Sequence, residues 1–201
     1  MWIRILIAGL TGGVIVFVMG AINHMALGLQ GRTFTNLPDE PRVTEALRSL
    51  SPGIYPLPGH PKGGEASDPQ FMEKYHTRYK AGPSGLIVIA PTGEVAMGPQ
   101  QLGFEWATGT VAALIAAWVV SLAGTDVGYA KRWMAVLAMG VFAWFSLTAS
   151  YGIWYRFPHD FVHDEFYCAV LEWGLAGLAI AAIVRRPATA ANSKPMVNAA
   201  G

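Results

Sequence analysis

Four long apolar stretches dominate the pattern of hydrophobic and polar positions along this chain. They cover residues 5–25, 103–123, 133–154 and 166–184, and each is about 20 residues long with few charges. An α-helix rises ~1.5 Å per residue, so each stretch can cross a hydrocarbon layer ~30 Å thick. The pattern therefore predicts an α-helical membrane protein built as a four-helix transmembrane bundle.

The segment between the first two stretches, residues 26–102, has a mixed pattern. Helical spacing covers residues 41–50 and 69–80, and short apolar runs that are typical of strands cover 54–57 and 85–90. This segment is therefore predicted to be a small extracytoplasmic α/β lobe between spans 1 and 2. The residues predicted to be buried in it are Val43, Leu47, Leu50, Ile87 and Ile89.

These patterns divide the chain into four parts. Helix 1 lies in residues 1–25, the lobe in 26–102, and helices 2–4 in 103–186. The first apolar stretch exceeds the usual signal-peptide core, and no small-x-small cleavage site follows it, so it is predicted to be an uncleaved span. Residues 187–201 are rich in Pro, Ala, Asn and Ser without periodicity, and are predicted to be a disordered cytoplasmic tail.

The charges indicate an orientation. Only 13% of the residues are charged, about half the usual fraction of a soluble domain. Basic residues are enriched in cytoplasmic loops, and one set of span ends carries Arg4, Lys131, Arg132, Arg185, Arg186 and Lys194. We therefore predict that both termini are cytoplasmic and that the lobe lies on the opposite side of the membrane. The chain has no long basic tract, so nucleic acid is not an expected partner.

A small-residue motif, Gly9-x-x-x-Gly13, lies in the first apolar stretch. Glycines at this spacing let membrane helices approach closely, either within one chain or between two copies. Packing within the chain is the favoured interpretation, and a homo-oligomer is the alternative.

Two short motifs carry a resemblance to a known family. The first begins with Asp39-Glu40, continues with Val43 and Ala46-Leu47, and ends with Gly53-Ile54-Tyr55-Pro56-Leu57-Pro58. The second is Tyr155-Arg156-Phe157-Pro158, before the last apolar stretch. Together they resemble a pattern in uncharacterised bacterial inner-membrane proteins with four predicted spans. The resemblance implies the same topology and a bacterial inner-membrane location, and it implies no particular activity.

A candidate binding site is predicted at the outward end of the bundle. Glu172 lies inside the fourth apolar stretch, where an ionisable residue costs free energy and often marks a functional site. A buried hydrogen bond or ion pair explains it equally well. We predict that Glu172 faces the bundle interior and shares a polar cavity with at least two other outward residues. These candidates are His24, Glu105, Arg156, His163 and Glu165.

A candidate metal site is predicted where the last helix begins. His159 and His163 are four residues apart, as are Asp160 and Asp164, so each pair lies on one helix face. Imidazole and carboxylate ligands suit a divalent transition metal. The favoured alternative is a solvated helix start, because acidic residues stabilise the positive end of the helix dipole.

Three classes of function follow, in order of preference. The first is a non-enzymatic accessory or assembly subunit whose partners are the lipid bilayer and another membrane protein or a second copy. The second is a metal- or cofactor-binding redox protein that uses the His/acid cluster. The third is a small proton-coupled transporter that uses Glu172. The chain has no H-E-x-x-H or C-x-x-C motif, so the sequence leaves enzymatic activity open and favours a non-enzymatic role.

Overall fold

The fold was analysed in a computed structural model, which describes residues 1–93, 95–123 and 127–185. The protein is mostly helical and contains a small two-stranded sheet. Arg186 and the predicted tail, residues 187–201, lie outside the described residues. In chain order the elements are α1 (Trp2–Met25), α2 (Glu40–Leu47), β1 (Gly53–Leu57), α3 (Pro69–Ala81), β2 (Gly85–Ile89), α4 (Pro99–Leu122), α5 (Tyr129–Ala143), α6 (Ala149–Tyr155) and α7 (His159–Ile183).

Among the described residues, four helices are long and apolar enough to cross a membrane, as predicted. They are α1, α4, α7 and a continuous third helix, Tyr129–Tyr155, in which a π-helical segment joins α5 to α6. The central pair is α1 and α7. The α4 helix packs mainly on α1, α5 packs mainly on α7, and α4 has few contacts with α5 or α7. The four helices therefore pack in the order α4, α1, α7, α5.

Small side chains form most of the core between these helices. Ala8, Ala113, Ala117, Ala176 and Ala181 are fully buried. Membrane helices associate through close packing rather than through exclusion of water, and small residues bring their backbones together. The core therefore fits helices that lie in lipid.

The Gly9/Gly13 motif lies against α4. A Cβ atom at Gly13 would lie 2.6 Å from the Cα atom of Thr110, and one at Gly9 would lie 2.9 Å from the Cα atom of Leu114. Both distances are too short for real atoms, so only glycine allows this approach of α1 to α4. Packing within the chain therefore accounts for the motif.

Basic and hydroxyl side chains cap α7 at the end of the helices where α1 begins. Arg132 donates from Nε to the carbonyl of Ala181 at 3.1 Å, and the Tyr129 hydroxyl donates to the carbonyl of Leu178 at 3.1 Å. Arg4 donates to the carbonyl of Arg185. Positive charge and hydrogen-bond donors stabilise the carbonyl end of a helix. We call this the terminal end, and the opposite end, where α1 finishes at Met25, the lobe end.

The lobe contains the predicted helices and strands, with slightly different ends. Strands β1 and β2 are antiparallel, with Gly53 opposite Ile89 and Leu57 opposite Gly85. Helix α3 begins at a proline, and the preceding Asp68 accepts a hydrogen bond from the Gln70 amide at 2.9 Å. Both features are common at the start of a helix.

The predicted burial within the lobe is wrong. Val43, Leu47, Leu50, Ile87 and Ile89 are only partly buried. A two-stranded sheet has two faces, and a segment this small has too few side chains to cover both. One face carries the cross-strand pair of Ile54 and Val88, and each of these side chains is 68% exposed.

Candidate functional site

The polar side chains at the lobe end gather where the end of α1, the turn that follows it and α7 meet. We call this set the polar cluster, and its members are Asn23, Gln30, Arg32, Asp164, Glu165 and Glu172. Gln30 adopts a left-handed backbone conformation, with φ of 65°, which is uncommon for a residue with a side chain. The conformation turns the chain back, so that both the amide and the side chain of Gln30 reach α7.

Asp164 is the centre of the first contact in the cluster, and it is fully buried. Its Oδ2 atom accepts hydrogen bonds from the Gln30 amide at 2.9 Å and from Arg32 Nε at 2.8 Å. Its Oδ1 atom pairs with Arg32 Nη2. This two-point arrangement is the strong form of an arginine–carboxylate pair. The hydrogen bond to Asp164 raises the pKa of the Arg32 guanidinium, which lies outside the four long helices and stays charged.

Gln30 ties a second acid to the same turn. Its side-chain Nε2 donates to Glu165 Oε1, while its backbone amide is bound to Asp164. One residue therefore contacts two consecutive acids of α7. Arg32 and Gln30 were both missed by sequence reasoning. Their signal is their position, because the turn after the first span must lie beside the start of the last span.

Glu172 is the centre of the second contact. It is partly buried, and its Oε1 atom accepts a hydrogen bond from Asn23 Nδ2 at 2.9 Å. The carboxylate also lies beside Gly20, where a Cβ atom would be 3.6 Å from Oε1, an ordinary contact distance. Glu172 is in the middle of α7, yet it contacts the last two turns of α1. The carboxylate therefore lies closer to the lobe end than its position within α7 indicates.

Among the other predicted binding residues, Glu165 is half-buried in the polar cluster, and the rest are exposed, namely His24, Glu105, Arg156 and His163. Glu105 of α4 and Glu165 lie near enough to repel a charge on Glu172. His24 is exposed on α1 beside Asn23. Arg156 does not join the cluster, because it ends α6 in a left-handed conformation and lines a cavity of about 30 Å³ beside the lobe. The contact of Glu172 is thus with Asn23 and not with Arg156 or His24.

The predicted metal residues do not come together. His159, Asp160 and His163 are exposed at the start of α7, while Asp164 faces the helix interface and is bound by Arg32. Within residues 1–93, 95–123 and 127–185, no group of three or more His, Cys, Asp or Glu residues is arranged to hold a metal ion.

A cavity of about 300 Å³ lies between the third helix and α7. It is lined by Trp144, Phe145, His163, Phe166 and Tyr167. The Trp144 indole donates to the carbonyl of Val162 at 2.9 Å, which fixes the π-helical segment against α7. A π-helical segment is often found at a functional position, and this one sets the shape of the cavity wall.

No protein-family model, no curated protein and no solved structure matches this chain. The fold therefore defines the class of this protein. Its described residues are mostly helical, with four helices able to cross a membrane and a small two-stranded sheet.

Proposed function

We propose that this is a multi-pass protein of the bacterial inner membrane that acts as a non-enzymatic accessory or assembly subunit. The proposal rests on how the acidic side chains at the lobe end are bound. Asp164, Glu165 and Glu172 are each bound by side chains of α1 or of the turn after it. Asp164 and Glu165 hold the turn after α1 against α7, and Glu172 joins α1 to α7, so all three acids make structural contacts.

The polar cluster also positions the lobe. The Arg32–Asp164 pair lies at the point where the chain leaves α1 and enters the lobe. At the other side of the lobe, Pro56, Leu86 and Trp154 line the small cavity where the sheet meets the third helix. The Arg32–Asp164 pair therefore fixes the start of the lobe against α7.

We assign the exposed side of the third helix to the contact with the partner. This helix is the least buried of the four long helices. Its exposed side chains include Phe142, Phe145 and Trp154. Aromatic residues supply large contact areas in protein interfaces, so a second membrane protein or a second copy of this chain can pack here.

A photo-crosslinking experiment tests this assignment. We expect a crosslinking residue at Phe142 or Phe145 to yield one discrete protein adduct in membranes, identified by mass spectrometry. The matched control is Leu10 of α1, which is also apolar and exposed. Adducts with lipid alone at all three positions would contradict the subunit proposal.

The proposed orientation places both termini in the cytoplasm and the lobe on the other side. Arg4, Arg132 and Arg185 lie together at the terminal end, which supports this orientation because basic residues favour the cytoplasmic face. Topology reporters fused at Gln70 and at Gly128 are expected to report opposite compartments. The same compartment at both positions would rule out the orientation.

The proton-coupled transporter remains a second candidate because of one observation, the Glu172 carboxylate at the interface of α1 and α7. Against it, four spans without an inverted repeat do not match the usual plan of a transporter. Uptake driven by a pH gradient in vesicles, abolished by Glu172→Gln, would favour this candidate over the subunit.

A further inference from the structure

Asp164 and Glu172 differ in the charge of the side chain that binds them. Asp164 is neutralised by Arg32. Glu172 is bound by a neutral amide, and the described part of the chain places no Lys, Arg or His within ion-pairing distance of it. An unpaired carboxylate between membrane helices is costly, and a neutral hydrogen bond does not remove its charge.

The side-chain amide of Asn23 lacks one hydrogen bond among the residues that the structure describes. Its side chain is fully buried, and its Nδ2 group is used by Glu172 Oε1. Its Oδ1 atom is buried and receives no hydrogen bond from any residue that the structure describes. A buried acceptor without a donor is rare in native structures and destabilises the fold. The amide thus offers a free acceptor beside the carboxylate.

One proton on Glu172 satisfies both groups. A protonated carboxyl has one donor and one acceptor, and a primary amide has the same pair in the same spacing. We propose that Asn23 and Glu172 form a proton-binding site, in which Glu172 Oε2–H donates to Asn23 Oδ1 while Asn23 Nδ2–H donates to Glu172 Oε1. Binding forms one O–H bond on Oε2 and releases no other group, and the proton comes from water at the lobe end.

The ionisable residues of the elements around the pair do not neutralise Glu172. Glu105 of α4 and Glu165 of α7 are themselves acids. Cys168, one turn away on α7, is a buried thiol, and His24 of α1 is exposed. The ionisable residues of α5 are Tyr129, Lys131 and Arg132, and they lie at the terminal end, away from the pair. None of these groups supplies a positive charge in contact with Glu172.

The proton can exchange with the lobe side. Glu172 is only partly buried, and its partner lies two residues before the end of α1. His24, the residue after Asn23, is exposed. The site therefore responds to the pH on one side of the protein, and this property goes beyond a subunit role.

Infrared spectroscopy of the full-length protein in lipid vesicles tests the proposal. At neutral pH, the wild-type protein should show the carbonyl band of a protonated carboxyl that shifts when H₂O is replaced by D₂O. Glu172→Gln should lack this band and still fold, because glutamine keeps one donor and one acceptor. Glu73→Gln, which removes an exposed acid of α3 outside the polar cluster, should keep it. If Glu172→Gln instead removes the bands of an ionised carboxylate, the proposal is wrong.

A second measurement depends on stability and not on the band. The folded state binds the proton more tightly than the unfolded state does. The stability of the wild type should therefore fall as the pH rises and Glu172 loses that proton. The difference between wild type and Glu172→Gln in melting temperature should therefore depend on pH, with the variant gaining on the wild type at alkaline pH. A difference that is constant with pH would also overturn the proposal.

Discussion

Replacing Gly13 by alanine is expected to force α1 away from α4 and to lower the free energy of unfolding by about 1–3 kcal/mol. The added Cβ atom would lie 2.6 Å from the Cα atom of Thr110, which is backbone and cannot move without a shift of the whole helix. Thermal unfolding in detergent or lipid nanodiscs measures the loss.

Gly174→Ala is the matched control for this variant. Gly174 is also inside a long helix at an interface, but a Cβ atom there would lie 3.9 Å from the nearest side-chain atom, Leu137 Cδ1. That distance is ordinary contact, so the control should unfold close to the wild type. Equal effects of the two variants would show that α1 and α4 are not as close as described.

Asp164→Ala is the second variant that we expect to lower the free energy of unfolding. The variant removes the acceptor of the Gln30 amide and the charge partner of Arg32 at a fully buried position. Losing a buried hydrogen-bond partner costs about 1–3 kcal/mol. The Arg32 side chain is 61% exposed, so water screens part of the ion pair and the lower half of this range is expected.

Asp160→Ala, one turn earlier on α7, is the control for Asp164→Ala. Asp160 is exposed, and removing it should change stability by at most about 0.5 kcal/mol. Hydrogen exchange gives a second readout, because loss of the pair should speed exchange in the turn that contains Gln30 and Arg32. Unchanged exchange there, together with equal stability of the two variants, would mean that Asp164 does not hold the turn.

The relation between sequence and structure differs between the helices and the lobe. The four long helices were predictable because about 20 consecutive apolar residues leave few alternatives to a helix that can span a membrane. The lobe elements were predictable from helical spacing, prolines and short apolar runs. The burial of Ile87 and Val43 could not be predicted, because burial depends on what covers each face and the sequence pattern does not contain that information.

The third helix shows another limit. Its apolar stretch predicts one span, and the structure has one continuous helix, but the π-helical segment Trp144–Thr148 has no sequence signal. The segment coincides with the hydrogen bond from Trp144 to Val162, which is made across two helices. A local distortion that depends on a distant partner cannot be read from the residues that carry it.

The sequence by itself determined the long helices, the small lobe between the first two and the acids at the lobe end, because hydrophobic length and helical period are local properties. The partners of these acids were decided by the tertiary structure. Spacing along α7 put Asp164 with Asp160 and the histidines, whereas the turn after α1 brings Arg32 to it. Glu172 likewise meets Asn23, since the packing of α1 on α7 determines which side chains share an interface.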